Sequence, residues 1–181
     1  MVATPESVWA ALREVAERQK ENDRQMEKSR AEFDRRIQKL EEITSGISAN
    51  QGFFAEEYFF NSFEKGNRNF FGEKFDRITK NAKPLDVVAE DEYDIVFVNC
   101  EAVGIIEVKY KAHENNIPNV LKKATTFRAN FPNYANHRIY LGLASMAFYP
   151  EVEEECKKAG IAVIKQVGET VVIHDEHLKA F

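Results

Sequence analysis

The 181-residue sequence is poor in cysteine, with only Cys100 and Cys156. Two cysteines are too few for a disulfide framework or a cysteine-based zinc site, so both are expected to be free thiols. There is no long apolar run and the mean hydropathy is −0.47, which excludes a membrane-spanning helix. The first six residues have neither the basic start nor the apolar segment of a signal peptide, so we expect a cytoplasmic protein.

An excess of positive charge is also missing, because the formal net charge is −5. This balance does not favour a protein that binds nucleic acid through its overall charge, since lysine and arginine contacts to phosphate dominate such binding. The imbalance is concentrated near the end of the chain, where residues 141–181 carry four basic and seven acidic groups. The rest of the chain is closer to neutral and leaves nucleic-acid binding open.

Glycine and proline are absent between Pro5 and Gly46, where charged residues, glutamine and alanine dominate. Thr4 as N-cap, Pro5 at the first helical position and Gly46 as a stop predict one long helix. Some of its positions alternate by three and four residues, a pattern that predicts a coiled-coil seam and self-association, most simply as a homodimer. A helix lying on its own domain remains the alternative. The seam consists of Val8, Leu12, Val15, Gln19, Asn22, Met26, Ser29, Phe33, Ile37, Leu40 and Thr44.

The most informative stretch contains two runs rich in β-branched and aromatic residues, Tyr93–Val98 and Val103–Tyr110. The polar residues between them predict a hairpin with a tight turn. A loop of two or of four residues gives the same antiparallel pairing, which places Asp94 opposite Glu107 on one face. Lys109 follows Glu107 by two residues and therefore shares that face.

Two carboxylates this close repel each other unless a positive charge lies between them. A hard divalent cation such as Mg²⁺ prefers oxygen ligands and commonly takes one or two carboxylates together with water and phosphate oxygens. Asp94 and Glu107 are therefore candidate metal ligands. Lys109 is placed to hold a water or a phosphate oxygen beside them.

This pattern resembles the PD-(D/E)xK nuclease superfamily, which has the restriction-endonuclease-like fold. Asp94 is followed after twelve residues by Glu107-Val108-Lys109, and Tyr93 stands where the name-giving proline would be. The resemblance implies catalytic roles for Asp94, Glu107 and Lys109, and Mg²⁺, which Mn²⁺ can replace, held by Asp94, Glu107 and the carbonyl oxygen of Val108. It also implies products that carry a 5′-phosphate.

An aromatic segment from Asn50 to Phe63 predicts a second helix, and an acid within it is costly to bury unless it is paired or metal-bound. Gly52 and Glu56 are similar in spacing to a Gly-x-x-x-Glu motif of archaeal Holliday-junction resolvases, which are members of the superfamily. The resemblance therefore implies Glu56 as a further catalytic and metal-binding residue, with Glu57 as the alternative. Both could instead be ordinary surface acids of the helix.

The remaining pattern predicts an α/β fold with a mixed central sheet, which matches the restriction-endonuclease-like core. We expect a coiled-coil helix in residues 1–46 and a nuclease-like domain in residues 47–181. The predicted elements after the second helix are a strand at Lys74–Thr79, the hairpin, a helix from Asn115 to about Asn130, a strand at Arg138–Ala144, a helix at Pro150–Gly160, and strands at Ile161–Val167 and Thr170–His174.

The resemblance thus implies an Mg²⁺-dependent nuclease, an endonuclease or an exonuclease, that acts on DNA, with RNA as an alternative substrate that uses the same residues. No helix-turn-helix, zinc finger or base-stacking surface is indicated, so cleavage selective for nucleic-acid structure is expected rather than recognition of a sequence. The competing hypothesis is a catalytically inactive, nuclease-like coiled-coil interaction or scaffold protein. Divalent-ion binding distinguishes the two, because a scaffold has no need of a metal site.

Overall fold

A computed structural model describes the backbone of residues 5–66 and 69–181, and the side chains of the same residues except 5–13, 16 and 40–42. The chain divides into two compact units, Met1–Ser48 and Ala49–Phe181. The predicted boundary was two residues earlier, between residues 46 and 47.

Helix α1 is continuous from Pro5 to Lys65. The predicted stop at Gly46 and the separate second helix from Asn50 are therefore wrong. A single glycine inside a helix costs only about 1 kcal/mol relative to alanine, and no proline follows Gly46 to end the helix. A side chain at Gly46 would meet no atom within 4 Å, so no close packing requires glycine there.

The predicted coiled-coil seam is exposed wherever the first unit's side chains are described. Val15, Met26, Phe33 and Ile37 have exposed fractions between 40% and 68%, whereas Val8, Leu12 and Leu40 lie outside the described side chains. Apolar side chains repeated at this spacing on a long polar helix remain consistent with burial against a second helix. Self-association stays a prediction.

The second unit contains a six-stranded mixed sheet with helices, which confirms the predicted α/β class. The elements after α1 are β1 (Asn69–Phe70), β2 (Glu73–Lys74), β3 (Arg77–Lys80), β4 (Ile95–Val98), β5 (Ala102–Lys111), α2 (Asn116–Asn130), a 3-10 turn (Pro132–Tyr134), β6 (Arg138–Ala147), α3 (Pro150–Ala159), β7 (Ala162–Val167) and β8 (Thr170–His174). Strands β3 to β8 form the six-stranded sheet and lie side by side in chain order, with β5–β6 and β6–β7 parallel and the other pairs antiparallel. Strands β1 and β2 form a separate small hairpin.

One predicted strand, Lys74–Thr79, is in fact divided between two sheets. Lys74 ends β2, whereas Arg77 begins β3. Phe71 and Gly72 both have positive φ angles, 58° and 69°, which close the tight turn between β1 and β2. Phe75, between the two strands, is buried in the core. Burial alternates only as far as Asp76, since Asp76 and Arg77 are both exposed. The single predicted strand is therefore wrong, because its first residue belongs to the small hairpin.

The six-stranded sheet has a hydrophobic core on each face. Val103 and Ile105 of β5 belong to the core that includes α2 and α3 residues. Ile106 and Val108 point the other way, into an aromatic core with Phe59 near the end of α1. Strand β5 is therefore buried on both faces, as expected for the centre of a sheet covered by helices. Among the described residues, no helix combines the length and apolar character needed to cross a membrane.

Candidate active site

The β4–β5 hairpin has the predicted register. Ile95 pairs with Ile106 and Val98 pairs with Val103, so the two strands are antiparallel with a three-residue connection. The connection is closed by Asn99, whose side-chain Oδ1 accepts hydrogen bonds from the backbone N–H groups of Glu101 at 2.8 Å and Ala102 at 2.7 Å. Asparagine favours turns because its short side chain can bond the backbone in this way.

Asp94 directly precedes β4, and its side chain accepts a hydrogen bond from a backbone N–H group of β5. Its Oδ2 accepts a hydrogen bond from Val108 N–H at 2.7 Å, and the residue is buried. Burial and the neighbouring Glu107 carboxylate raise the pKa of Asp94 to about 7. The Val108 hydrogen bond and the charges of Lys109 and Lys123 oppose this rise without cancelling it.

Glu107 is buried between two lysine side chains. Its Oε1 lies 2.5 Å from Lys109 Nζ, and its Oε2 lies 2.8 Å from Lys123 Nζ. Burial lowers the pKa of each lysine, but the carboxylates around it together outweigh burial and raise both pKa values. These carboxylates are Glu107 and Asp94 for Lys109, and Glu107 and Asp91 for Lys123. The Lys109 side chain is 40% exposed and the Lys123 side chain only 5%, so Lys109 has room to leave Glu107 and Lys123 does not.

Helix α2 presents a buried polar row to the segment that precedes β4. Lys123 Nζ lies 3.1 Å from Asp91 Oδ1 and also donates to the backbone carbonyl of Glu92. Thr126 donates from Oγ1 to Asp91 Oδ2 at 2.5 Å. Burial raises the pKa of Asp91, but these bonds and the Lys123 charge lower it below its usual value. The Asp91 carboxylate is thus held in its charged form.

Asn130 completes the same row, seven residues after Lys123. Its Oδ1 accepts hydrogen bonds from the N–H groups of Val88 and Ala89, both at 2.9 Å. Its Nδ2 donates to the carbonyl oxygen of Ala89 at 2.8 Å and to the Tyr93 hydroxyl at 3.0 Å. Lys123, Thr126 and Asn130 are spaced by three and four residues, so one side of α2 fixes the chain immediately before Asp94.

The two glutamates of α1 have different surroundings. Glu56 is half-buried and lines, together with Asp94, a cavity of about 540 Å³. Glu57 is paired with Lys80 of β3. Asp94, Glu107 and Lys109 arise from the sheet face that α2 covers, whereas the α1 segment packs over the opposite face. The cavity that both residues line is therefore what relates Glu56 to Asp94.

Of the four predicted catalytic residues, Glu107 and Lys109 form an ion pair, and Asp94 bonds the backbone of Val108 between them. Glu56 lines a cavity together with Asp94. Lys123, which lies beside them on α2, was not among the predicted catalytic or metal-binding residues. Asp91, Thr126 and Asn130 were missed. A usable signal was present, because polar residues at positions 123, 126 and 130 lie among the apolar residues of one amphipathic helix.

The donors around Asp94 suit a hard divalent cation, since the carboxylates of Asp94 and Glu107 and the carbonyl of Val108 are all oxygen ligands. The pKa of Asp94, raised to about 7, reflects the cost of burying two carboxylates together, which a divalent charge would relieve. Glu107 Oε1 would be free for a metal if the partly exposed Lys109 side chain moved away. Within the described ranges, however, no group of three or more histidine, cysteine, aspartate or glutamate side chains is arranged to hold a metal.

Comparison with models of known protein families and with curated protein sequences finds no match for this chain. Function is therefore inferred from the residues and geometry of the site itself.

Proposed function

We propose that this protein is an Mg²⁺-dependent nuclease of the PD-(D/E)xK type, with a restriction-endonuclease-like domain that hydrolyses phosphodiester bonds in DNA. The observation that supports the proposal best is the convergence of two buried carboxylates and one movable lysine at the open end of the β4–β5 hairpin. This convergence follows a spacing that resembles the superfamily motif. Like charges this close are unfavourable unless positive charge offsets them. Lys109 and Lys123 provide that charge in the structure, and a divalent cation would provide it in place of Lys109.

Asp94 and Glu107 would hold the Mg²⁺ ion together with the Val108 carbonyl, and Glu56 would contribute from across the shared cavity. Bound there, Mg²⁺ would lower the pKa of a coordinated water and polarise the scissile phosphate. The Val108 N–H keeps one oxygen of Asp94 fixed, so the other oxygen is the one available to a ligand. Mn²⁺ would replace Mg²⁺ because it accepts the same hard oxygen donors.

Lys109 would act on the substrate rather than on the metal. In the structure its ammonium group neutralises Glu107, and its side chain is partly exposed. Once a divalent ion takes over that neutralisation, the ammonium group is free to orient the attacking water or to stabilise negative charge that builds on the phosphate oxygens. Lys83, exposed on the rim of the Asp94 cavity, is placed to contact a flanking phosphate.

The test is cleavage of labelled single-stranded, duplex, flapped and four-way DNA, and of RNA, with Mg²⁺ or Mn²⁺. We expect wild type to cut at least one DNA substrate, and Glu107→Gln and Lys109→Met each to lose about 100- to 1,000-fold in rate. Lys111→Met is the matched control, since Lys111 is an exposed lysine of the same strand that lies over the Tyr149 ring. Preference for RNA over every DNA substrate would change the substrate class and leave the site intact.

A second candidate function is a nuclease-like scaffold without catalytic activity. It is favoured by one observation, that both carboxylate oxygens of Glu107 are already neutralised by lysine ammonium groups. In this case calorimetry would detect no Mg²⁺ or Mn²⁺ binding that depends on Asp94 and Glu107, and none of the substrates would be cut. With either function, we propose that the protein is cytoplasmic and forms a homodimer through its exposed helical seam.

A further inference from the structure

The ammonium group of Lys123 occupies a cage of oxygen atoms beside the proposed metal site. Its Nζ lies 2.8 Å from Glu107 Oε2 and 3.1 Å from Asp91 Oδ1, and it donates to the carbonyl oxygen of Glu92. The Lys123 side chain is 5% exposed, and its Nζ also lies 5.5 Å from the centre of the Tyr93 ring. A lysine this deeply buried is unusual unless its charge is paired.

The chemistry of this cage is that of a cation site. Two carboxylates and one backbone carbonyl form a set of hard oxygen donors that a divalent ion commonly takes. The distances to the two carboxylates are hydrogen-bond lengths, longer than the roughly 2.1 Å of Mg²⁺ coordination, so the cage as built fits an ammonium group. Thr126 Oγ1 donates to Asp91 Oδ2 at 2.5 Å, and this hydrogen bond fixes the orientation of the Asp91 carboxylate in the cage.

Glu107 is shared between this cage and the proposed Mg²⁺ position. Its Oε2 faces the buried Lys123, and its Oε1 faces the partly exposed Lys109. An ion that replaced Lys109 would share Glu107 with the Lys123 ammonium group. The same arrangement with a metal ion in place of Lys123 would be a two-metal site, in which two ions are bridged by one carboxylate.

We propose that Lys123 is a built-in cation that occupies the second metal position, so that the site accepts one divalent ion and not two. Lys123 thereby also positions Glu107, leaving only its Oε1 for the exchangeable ion. The first ion in this inference rests on the proposed function, whereas the oxygen cage around Lys123 does not.

Counting bound Mn²⁺ by calorimetry and electron paramagnetic resonance tests the inference. We expect one ion on wild type and two on Lys123→Ala, because truncation leaves the three oxygens without their cation. The additional ion should be lost again when Asp91→Asn is combined with Lys123→Ala. Lys122→Ala is the matched control, since Lys122 is the preceding residue of α2 and is exposed, and it should bind one ion like wild type.

The possible results separate the two proposals. No ion on wild type but one on Lys123→Ala would refute the proposed metal-dependent nuclease and still support the built-in cation. Equal numbers on wild type and Lys123→Ala would overturn the inference, as would two ions on wild type of which one requires Asp91. If Lys123→Ala is unfolded in EDTA, recovery of its circular dichroism by Mn²⁺ supports the inference, and failure to recover overturns it.

Discussion

Asp94 is buried beside Glu107, and both effects raise its pKa to about 7 from the usual value near 4. Between these two values the folded protein binds a proton at Asp94 that the unfolded chain releases. The free energy of unfolding of the metal-free protein should therefore fall as pH rises from about 4 to above 7. Replacing Asp94 by asparagine removes this proton linkage and the repulsion with Glu107.

We predict that Asp94→Asn is more stable than wild type at pH 8 in EDTA, by on the order of a few kcal/mol, with little difference at pH 4. Urea unfolding at several pH values measures this. Mg²⁺ should raise the midpoint of wild type and leave that of Asp94→Asn unchanged. The control is Asp86→Asn, which changes an exposed aspartate nearby, and a pH profile of wild type parallel to that of Asp94→Asn would contradict the prediction.

The two cysteines should differ sharply in reactivity. Cys156 is buried in α3, and burial, with help from the charges of Glu153 and Glu155, raises its pKa to about 11. Cys100 is exposed in the turn between β4 and β5. The thiolate is the reactive form, so at pH 8 one thiol per chain should react with an aromatic disulfide reagent in the native state and two after denaturation. Rapid reaction of both native thiols would show that α3 does not protect Cys156.

At the scale of elements, Lys123, Thr126 and Asn130 of α2 form a clamp on the segment 88–93, which leads directly to Asp94. Asn130 alone makes four hydrogen bonds to residues 88–93. We predict that Asn130→Ala lowers the free energy of unfolding by about 2–4 kcal/mol, because backbone groups of that segment lose their partners. It should also weaken Mg²⁺ binding by displacing Asp94. Asn119→Ala, an exposed asparagine of the same helix, should change neither quantity in urea unfolding and calorimetry.

The first unit's helix carries the prediction of self-association. Phe33 and Ile37 are adjacent on the seam and exposed. Changing both to lysine puts like charges at the centre of the expected interface, and we predict a fall from dimer to monomer mass in light scattering. Gln25→Lys with Gln38→Lys adds the same charge at exposed positions outside the seam and should remain dimeric. If wild type is monomeric at all concentrations, the alternative that the helix lies on its own domain would be favoured.

At the scale of the whole molecule, the sheet with its two cores belongs entirely to the unit Ala49–Phe181. We predict that residues 49–181 expressed alone unfold cooperatively and bind Mg²⁺ with unchanged affinity, because every residue proposed for the site lies in this unit. Thermal circular dichroism and calorimetry of the fragment test this. A fragment without a cooperative transition would show that residues 1–48 are needed for folding.

The sequence allowed prediction of those features that depend on residues close together along the chain. The hairpin register and the shared face of Asp94 and Glu107 follow from alternation and one short turn, and both agree with the structure. The sequence predicted that the first helix ends at Gly46, whereas α1 continues through this residue. A lone glycine shifts the helix equilibrium by only about 1 kcal/mol, which the neighbouring helical residues outweigh.

The partners of the clamp residues on α2 could not be predicted from the sequence, because these contacts join residues that are far apart in the chain. Asp91 and Lys123 are 32 positions apart, and Ala89 and Asn130 are 41 positions apart. Nothing in the local pattern of α2 states which segment its polar row meets. The buried charge of Lys123 becomes intelligible only once the fold brings Glu107 and Asp91 to it.

The order of strands has a consequence for folding kinetics. Strands β4 and β5 are joined by only three residues, whereas β5 reaches β6 through α2, and β6 reaches β7 through α3. Short loops close fastest, so the hairpin is expected to form early and to bring Asp94 toward Glu107 before α2 delivers Lys123. Repulsion between the two carboxylates would then slow the early step of folding. Magnesium present during refolding should speed that step even though Lys123 later supplies the permanent positive charge.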